Sequence, residues 1–237
     1  MQLAIDTSTD TASLAIVQEN EVLAELTWRC GQNHSVELLP RLTRLLEQTK
    51  LGLQSISSII VARGPGSFNG LRVGISTAKG LAFSLGVPIV GIGTLEAVAY
   101  GHAETGLPVC PMLNAGRGEI ATAIYQQKGD KWQKIIVEHI TTVDALCSKI
   151  NTRTIFCGEL TQATADKLTE KLGPKAVIPP PASRLRRAGF LAELGFRRLK
   201  AGDYDHPTSL QPIYLRQPQI TQPKHRTQVV DQKISPK

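Results

Sequence analysis

Several features that are common in enzymes and membrane proteins are scarce or missing in this sequence. Aromatic residues make up 5% of the 237 residues, which argues against a platform on which single-stranded nucleic acid stacks its bases. No apolar run is long enough to span a bilayer, so we expect no membrane association. The four cysteines show no C-x-x-C spacing and indicate reduced, mostly buried thiols. Because the chain opens directly on a strand pattern, we expect no signal peptide and a cytoplasmic location.

The usual catalytic motifs are also missing. The glycine-rich stretch at 64–70 lacks the Gly-Lys-Ser/Thr of a Walker loop and is not a G-x-G-x-x-G motif, so it is a weak phosphate signal. None of the five histidines forms an H-x-x-x-H pair, and no Ser/His/Asp set is evident. The sequence therefore predicts no catalytic residues and no metal ligands.

Positive charge is concentrated in the last quarter of the chain. Residues 1–183 carry 16 Lys/Arg and 16 Asp/Glu, whereas residues 184–237 carry 11 Lys/Arg and 4 Asp/Glu, which accounts for the whole net charge of +7. Such a segment can contact the phosphates of a nucleic acid, or it can be a solvated helix followed by a loose tail. Charge alone leaves both interpretations open.

The hydrophobic pattern predicts an α/β protein with two tandem domains. In the first half, strands are expected at 3–5, 12–17, 22–28, 58–62 and 87–92, with helices at 35–50, 69–85 and 95–103. A three-stranded meander extended by crossover-connected strands matches the ribonuclease H-like layout. We assign residues 1–103 to this first domain.

The second half repeats the pattern in shorter form. We expect strands at 108–113, 119–127, 132–140, 154–157 and 176–178, and helices at 142–150, 162–172 and 184–200. In the last helix, Arg186, Arg197 and Lys200 are predicted to share an outer, solvated face. Residues 104–216 form this second, abbreviated domain, and residues 217–237 are expected to be a disordered basic tail.

The helix predicted at 69–85 carries small residues every fourth position, which places Gly70, Gly74, Ala78 and Ala82 on one face. Glycine inside a helix costs roughly 0.5–1 kcal/mol relative to alanine, so two on one face require close approach of another backbone. That backbone can belong to a partner helix or to the protein's own sheet.

The turn after the first strand is rich in hydroxyls. Its members Asp6, Thr7, Ser8 and Thr9 can hold a phosphate, with the carboxylate holding a metal or water. They can equally make only side-chain-to-backbone bonds within the turn.

These motifs together resemble the TsaB (YeaZ) family of the actin-like ATPase superfamily over residues 1–216. The resemblance rests on Asp6–Thr9, on His34-Ser35 before Leu39-Pro40, on residues 64–74 and on residues 212–216. It implies a non-catalytic scaffold or activator subunit that pairs with a catalytic TsaD and the ATPase TsaE. That assembly attaches a threonylcarbamoyl group to the adenosine beside the tRNA anticodon, so contact with tRNA is expected to be indirect.

The resemblance also implies where partners and ligands bind. The helices at 35–50 and 69–85 would meet TsaD, or a second copy when the chain is alone. The implied interface residues are His34, Leu38, Leu42, Gly70, Arg72, Gly74, Ala78 and Ala82. Asp6, Thr7, Ser8 and Thr9 would be a vestigial phosphate turn. We expect no cofactor in the isolated chain, and ATP or ADP at its junction with partners.

Two other function classes remain to be weighed. An ATP-binding phosphotransferase or ATPase would use Asp6 and its turn, but it would need a longer second lobe with its own phosphate loop. A ribonuclease H-like nuclease would need several carboxylates for two metal ions, and Asp6 has no obvious companions.

Overall fold

Two mixed five-stranded sheets with the same internal strand order form the frame of the protein. The computed structural model describes residues 1–19 and 21–216, so the predicted tail at 217–237 lies outside the described residues. In the first sheet the order is β3-β2-β1-β4-β5, and in the second it is β10-β9-β6-β7-β8. The prediction of two tandem ribonuclease H-like units is confirmed by this repetition.

The first sheet is a meander extended by crossovers. Strands β1, β2 and β3 are antiparallel neighbours, while β4 and β5 run parallel to β1. Every residue of β1 and β4 is buried, because the sheet is covered on both faces. The bounds are β1 Gln2–Asp6, β2 Thr11–Gln18, β3 Glu21–Arg29, β4 Ser58–Ala62 and β5 Ile89–Ile92.

Helices α1 (His34–Thr49) and α2 (Phe68–Leu85) cover one face of this sheet. Their apolar residues share one core with β1, β2 and β4, and this core includes Leu14, Leu38, Ile59 and Ala78. The Ser67 side chain caps α2 by accepting a hydrogen bond from the Gly70 amide. Helix α1 continues through Pro40.

The second lobe is smaller because its helices are shorter. It is built from β6 Val109–Gly116, β7 Glu119–Lys128, β8 Lys131–Thr141, β9 Thr154–Gly158 and β10 Ala176–Val177, with α4 Val143–Cys147 and α5 Gln162–Leu172. Helix α3 (Thr94–Tyr100) follows β5 and packs between the lobes against β6, β7 and β9. The predicted helix at 142–150 is therefore reduced to the five residues of α4.

The last helix, α6 (Ala188–Lys200), returns to the first sheet although chain order placed it in the second domain. Its residues Leu191 and Ala192 are fully buried in a core shared with Ala4 and Ile60. A Cβ on Gly195 would lie 2.5 Å from an Ile60 methylene carbon, so only glycine permits this approach. The two faces of the first sheet are thus covered by α1 and α2 on one side and by α6 on the other.

Helix α6 begins four residues later than predicted. Residues Pro181–Arg184 form a 3-10 turn, and Arg187 is extended, with φ −130° and ψ 130°. The prediction that Arg186 lies on the outer helix face is wrong, because its side chain is buried beside Asp6 and Thr9.

Candidate functional site

Polar groups of the turn that follows β1 have partners within the protein, some in the turn itself and some at the start of α2. The Ser8 amide and hydroxyl both donate to Asp6 Oδ1, at 2.9 and 2.6 Å. Thr7 Oγ1 donates to the Gly70 carbonyl at 2.8 Å, and the Ser67 amide donates to the Ser8 carbonyl at 2.6 Å. All four residues of the turn are buried, so the candidate phosphate turn is packed against the start of α2.

Arg186 completes this turn from the other end of the chain. Its Nε lies 2.8 Å from Asp6 Oδ2, an ion pair rather than an aligned hydrogen bond. Its Nη2 donates to Thr9 Oγ1 at 2.6 Å and to the Thr11 carbonyl. The side chains of Arg186 and Asp6 are only 6% and 1% exposed. One buried arginine therefore neutralises the Asp6 carboxylate, in the place where a metal ion or a water molecule could otherwise bind.

A cleft of about 820 Å³ opens between the lobes beside this turn. The first lobe lines it with Thr11 and Ser67, the second with Asn114 and Glu159, and the segment before α6 with Arg184. The turn residues Thr9 and Arg186 reach the same cleft. Its wall is therefore polar on both sides, but the Asp6 carboxylate is already paired.

The segment Leu210–Arg216, which we call the strap, crosses from one lobe to the other. On the first lobe the Ile213 amide donates to the Arg63 carbonyl at 2.6 Å, and the Tyr214 ring lies 5.2 Å from the Phe68 ring. On the second lobe Arg216 donates to the Ala115 carbonyl at 3.2 Å and pairs with Glu119. The strap thus forms one wall of the cleft and connects the two sheets.

The predicted interface residues are mostly interior. Of the eight, only Arg72 is exposed, whereas the other seven are buried by the chain itself. A Cβ on Gly74 would collide with Thr7 Oγ1, and one on Gly70 with the Thr7 carbonyl. The backbone that approaches this glycine face is the protein's own Asp6–Thr9 turn. His34 is likewise internal, with Nε2 2.8 Å from the Thr9 carbonyl oxygen.

Other residues of the same two helices are exposed and apolar. Val36 and Leu39 on α1 are 67% and 52% exposed, and Phe83 on α2 is 86% exposed. Gly80 lies one turn before Phe83, and a Cβ added there would meet nothing within 4 Å. These four residues, which we call the outer face, were not identified from the sequence. The sequence shows that Phe83 falls three positions after Gly80 and so on the same side of α2, but only the structure shows that this side is exposed.

The remaining reactive groups lie in the interior. All four cysteines are buried, as the sequence predicted, and burial raises the pKa of the Cys110 thiol to about 12. Among the described residues no group of three or more His, Cys, Asp or Glu side chains could hold a metal ion. No helix in residues 1–216 is both long and apolar enough to cross a membrane.

Known proteins share both the sequence and the architecture. A family model described as "TsaD: tRNA N6-adenosine threonylcarbamoyltransferase" matches residues 28–223. The chain is 33% identical to the tRNA threonylcarbamoyladenosine biosynthesis protein TsaB of Bacillus subtilis over 217 residues, which is 90% of this chain and 93% of that protein.

Solved structures give the fold. YeaZ from Pseudomonas aeruginosa superposes with a TM-score of 0.76 at 23% identity, covering 90% of this chain and 99% of that one. The ROK hexokinase from Thermus thermophilus superposes with a TM-score of 0.52 at 10% identity, covering 84% of this chain and 99% of that one. These likenesses confirm the predicted actin-like α/β fold.

Proposed function

The chain belongs to the TsaB family of tRNA threonylcarbamoyladenosine biosynthesis proteins, and we propose that it acts there as an accessory subunit without chemistry of its own. The observation that carries this proposal is the buried Asp6–Arg186 pair. The carboxylate of the turn beside the cleft is neutralised by the protein itself. The arginine side chain occupies polar groups of the turn, so these groups are not available to bind a substrate.

A bound nucleotide is what an actin-like ATPase fold implies, but the residues of the turn do not fit one. Magnesium and phosphate would need free oxygens and amides there. Both oxygens of Asp6 already have partners, the Thr7 hydroxyl donates to Gly70, and Thr9 accepts from Arg186. We therefore propose that no nucleotide binds at the turn of the isolated chain.

The partner we propose is a TsaD-type subunit, and a second copy of this chain when that subunit is absent. The match of the TsaD family model to residues 28–223 supports a partner with a similar fold. The surface we assign to it is the outer face of α1 and α2, because Val36, Leu39 and Phe83 expose large apolar side chains there. Gly80 allows a partner backbone to approach α2 closely.

Reconstitution tests this proposal. A TsaD-type subunit, a TsaE-type ATPase, tRNA and threonylcarbamoyl-AMP are mixed with and without the chain, and modified adenosine is measured. We expect modification only when the chain is present and none from the chain alone. Full modification without the chain, or turnover by the chain alone, would overturn the accessory role.

A nucleotide-dependent phosphotransferase is the second candidate, and the interlobe cleft is the observation that favours it. Calorimetry of the isolated chain with ATP and magnesium separates the two. Tight binding with hydrolysis supports the phosphotransferase, whereas no heat of binding supports the accessory subunit.

A further inference from the structure

Helix α2 carries charges of one sign only. Its 18 residues include Arg72 and Lys79 but no aspartate or glutamate. Because positions 72, 79 and 83 follow the helical repeat, Arg72, Lys79 and Phe83 project from the same side of the helix. Arg72 is exposed, Lys79 is half-buried and Phe83 is 86% exposed. The most exposed apolar side chain of the outer face therefore lies beside two cations.

Neither cation is neutralised by the chain itself. Among the described residues, no carboxylate forms an ion pair with Arg72 or Lys79. The Arg72 guanidinium lies over the Phe68 ring, 4.3 Å from the ring centroid, and this contact leaves its positive charge uncompensated. Both side chains are thus available to the carboxylates of a partner.

Helix α1 adds no net charge to this surface. It contains two arginines and two glutamates, and one of each is joined in the Glu37–Arg41 pair at 2.7 Å. The other two, Arg44 and Glu47, are both exposed and have opposite signs. With histidine neutral, α1 therefore contributes nothing to the sum, and the net charge of the two helices is the +2 of the arginine and the lysine of α2.

A second copy of the chain would meet this surface with the same charges. A two-fold dimer brings the same patch of both copies together, so Arg72 and Lys79 of each copy would enter one interface. Like charges in an interface oppose association, and salt screens them. A partner that carries carboxylates around an apolar contact has the complementary charge instead.

We propose that the outer face binds a protein surface whose apolar residues are flanked by carboxylates, and that these carboxylates pair with Arg72 and Lys79. The same two cations make the face discriminate against a second copy of the chain. This inference rests on the proposed function, because it takes the TsaD-type subunit as the partner. It adds the charge of the partner's surface and the reason why that partner is preferred over self-association.

The two kinds of complex should respond to salt in opposite directions. The association rate of the full chain with the TsaD-type subunit is measured by surface plasmon resonance, and self-association by sedimentation velocity, from about 50 to about 500 mM NaCl. We expect the association rate with the partner to fall about tenfold as salt rises, because screening removes the attraction. Self-association should strengthen over the same range, and a chain that stays monomeric throughout agrees with the repulsion. A partner complex that forms at a rate independent of salt, or a self-dimer that is tighter at low salt, overturns the inference.

Charge-reversing variants separate this surface from the net charge of +7, which also repels a second copy. At low salt, Arg72→Glu and Lys79→Glu should each lower the association rate with the TsaD-type subunit about tenfold and reduce its salt dependence. Arg72→Lys keeps the charge and should keep most of the wild-type rate. Arg153→Glu is the matched control, because it changes the net charge equally at an exposed position before β9 and should leave the rate nearly unchanged.

The variants also distinguish this inference from the proposed function. If the wild-type chain forms no complex with the TsaD-type subunit at any salt concentration, the assignment of the partner is wrong, and the inference fails with it. If the wild-type complex forms but Arg72→Glu and Lys79→Glu behave like Arg153→Glu, the accessory role stands and only the charge-based inference is overturned. Arg72 and Lys79 form no ion pair with any described residue, so both variants should fold, and circular dichroism checks this.

Discussion

At the scale of single residues, the pairing of Asp6 with Arg186 decides the character of the candidate site. Both side chains are buried, so removing one leaves an uncompensated charge. We expect Arg186→Met to lower the free energy of unfolding by about 3–5 kcal/mol. Urea denaturation measures this change.

The double variant Asp6→Asn/Arg186→Met separates the ion pair from packing. Because it removes both charges, we expect it to regain most of the lost stability. Lys171→Met is the matched control, since Lys171 pairs with Asp144 at an exposed site and its loss should leave the midpoint unchanged. If Arg186→Met is as stable as wild type, Asp6 does not depend on Arg186 and the turn is available to ligands.

The Glu96 carboxyl gives a prediction about pH. Desolvation raises its pKa, so the folded state favours the protonated form. Glu96→Gln should therefore stabilise the protein at pH 7. The gain should vanish as the pH falls below the ordinary pKa of glutamate, about 4.3, where wild-type Glu96 is also neutral. Unfolding free energies measured across this pH range test the sign.

Glu138 provides the opposite case. Burial raises its pKa, but hydrogen bonds from Lys134, from the backbone and from Tyr125 outweigh burial and lower it. Glu138→Gln should thus destabilise the protein at neutral pH, and the loss should disappear in acid as the wild-type carboxyl becomes protonated. The same sign for both variants would contradict the assigned environments.

The role of Arg186 could not be predicted from the sequence. Periodicity extended the last helix back to residue 184 and put this arginine on its solvated face. Its real partners, Asp6 and Thr9, lie 180 and 177 positions away along the chain, and a local sequence pattern cannot predict a contact between such distant residues. The hydroxyl-rich turn itself was recognised, because its composition is local.

At the scale of elements, helix α2 presents two glycine positions with opposite environments. Gly74 is in contact with Thr7, so Gly74→Leu would disrupt the fold. Gly80 faces open space. We expect Gly80→Leu to stabilise the chain by up to about 1 kcal/mol through helix propensity, while it blocks association with a TsaD-type subunit. Thermal unfolding and size-exclusion of the mixture measure the two effects.

The rest of the outer face gives a charge-based companion test. Phe83→Asp and Val36→Asp should each prevent co-elution with the TsaD-type subunit, because each places a charge in an apolar contact. Val137→Asp is the matched control, since Val137 is an equally exposed apolar residue on β8. Complexes that survive both changes would place the docking surface elsewhere.

The helices themselves were predictable, but their contacts were not. The periodicity of apolar residues located α1 and α2, and it placed Leu38 and Leu42 on the apolar face of α1. It could not tell whether the small-residue face of α2 meets a partner or the protein's own turn, because both require the same spacing. In the structure that face is buried inside the protein. We therefore expect a partner to contact exposed residues such as Phe83 instead.

At the scale of the whole molecule, the order of the elements along the chain does not show which lobe each element packs in. The sequence predicted a meander extended by crossover-connected strands in the first half and a shorter repeat in the second, and both sheets have this arrangement. The packing of α6 on the first sheet was not predicted. An amphipathic pattern shows which side of a helix is apolar, but it does not show which of the two sheets that side covers. As a result, the first lobe is completed by the last helix, and the strap then crosses to the second lobe.

This arrangement predicts that residues 1–103 do not fold alone. Without α6, the first sheet exposes the apolar face that Leu191 and Ala192 cover. We expect this fragment to aggregate or to show no cooperative unfolding, and to become soluble when it is co-expressed with residues 104–216. Leu191→Asp in the second fragment should prevent this rescue, because it places a charge in that core. A fragment 1–103 that is monomeric and unfolds cooperatively by itself would show that the first lobe does not need α6, and that the two lobes are independent folding units.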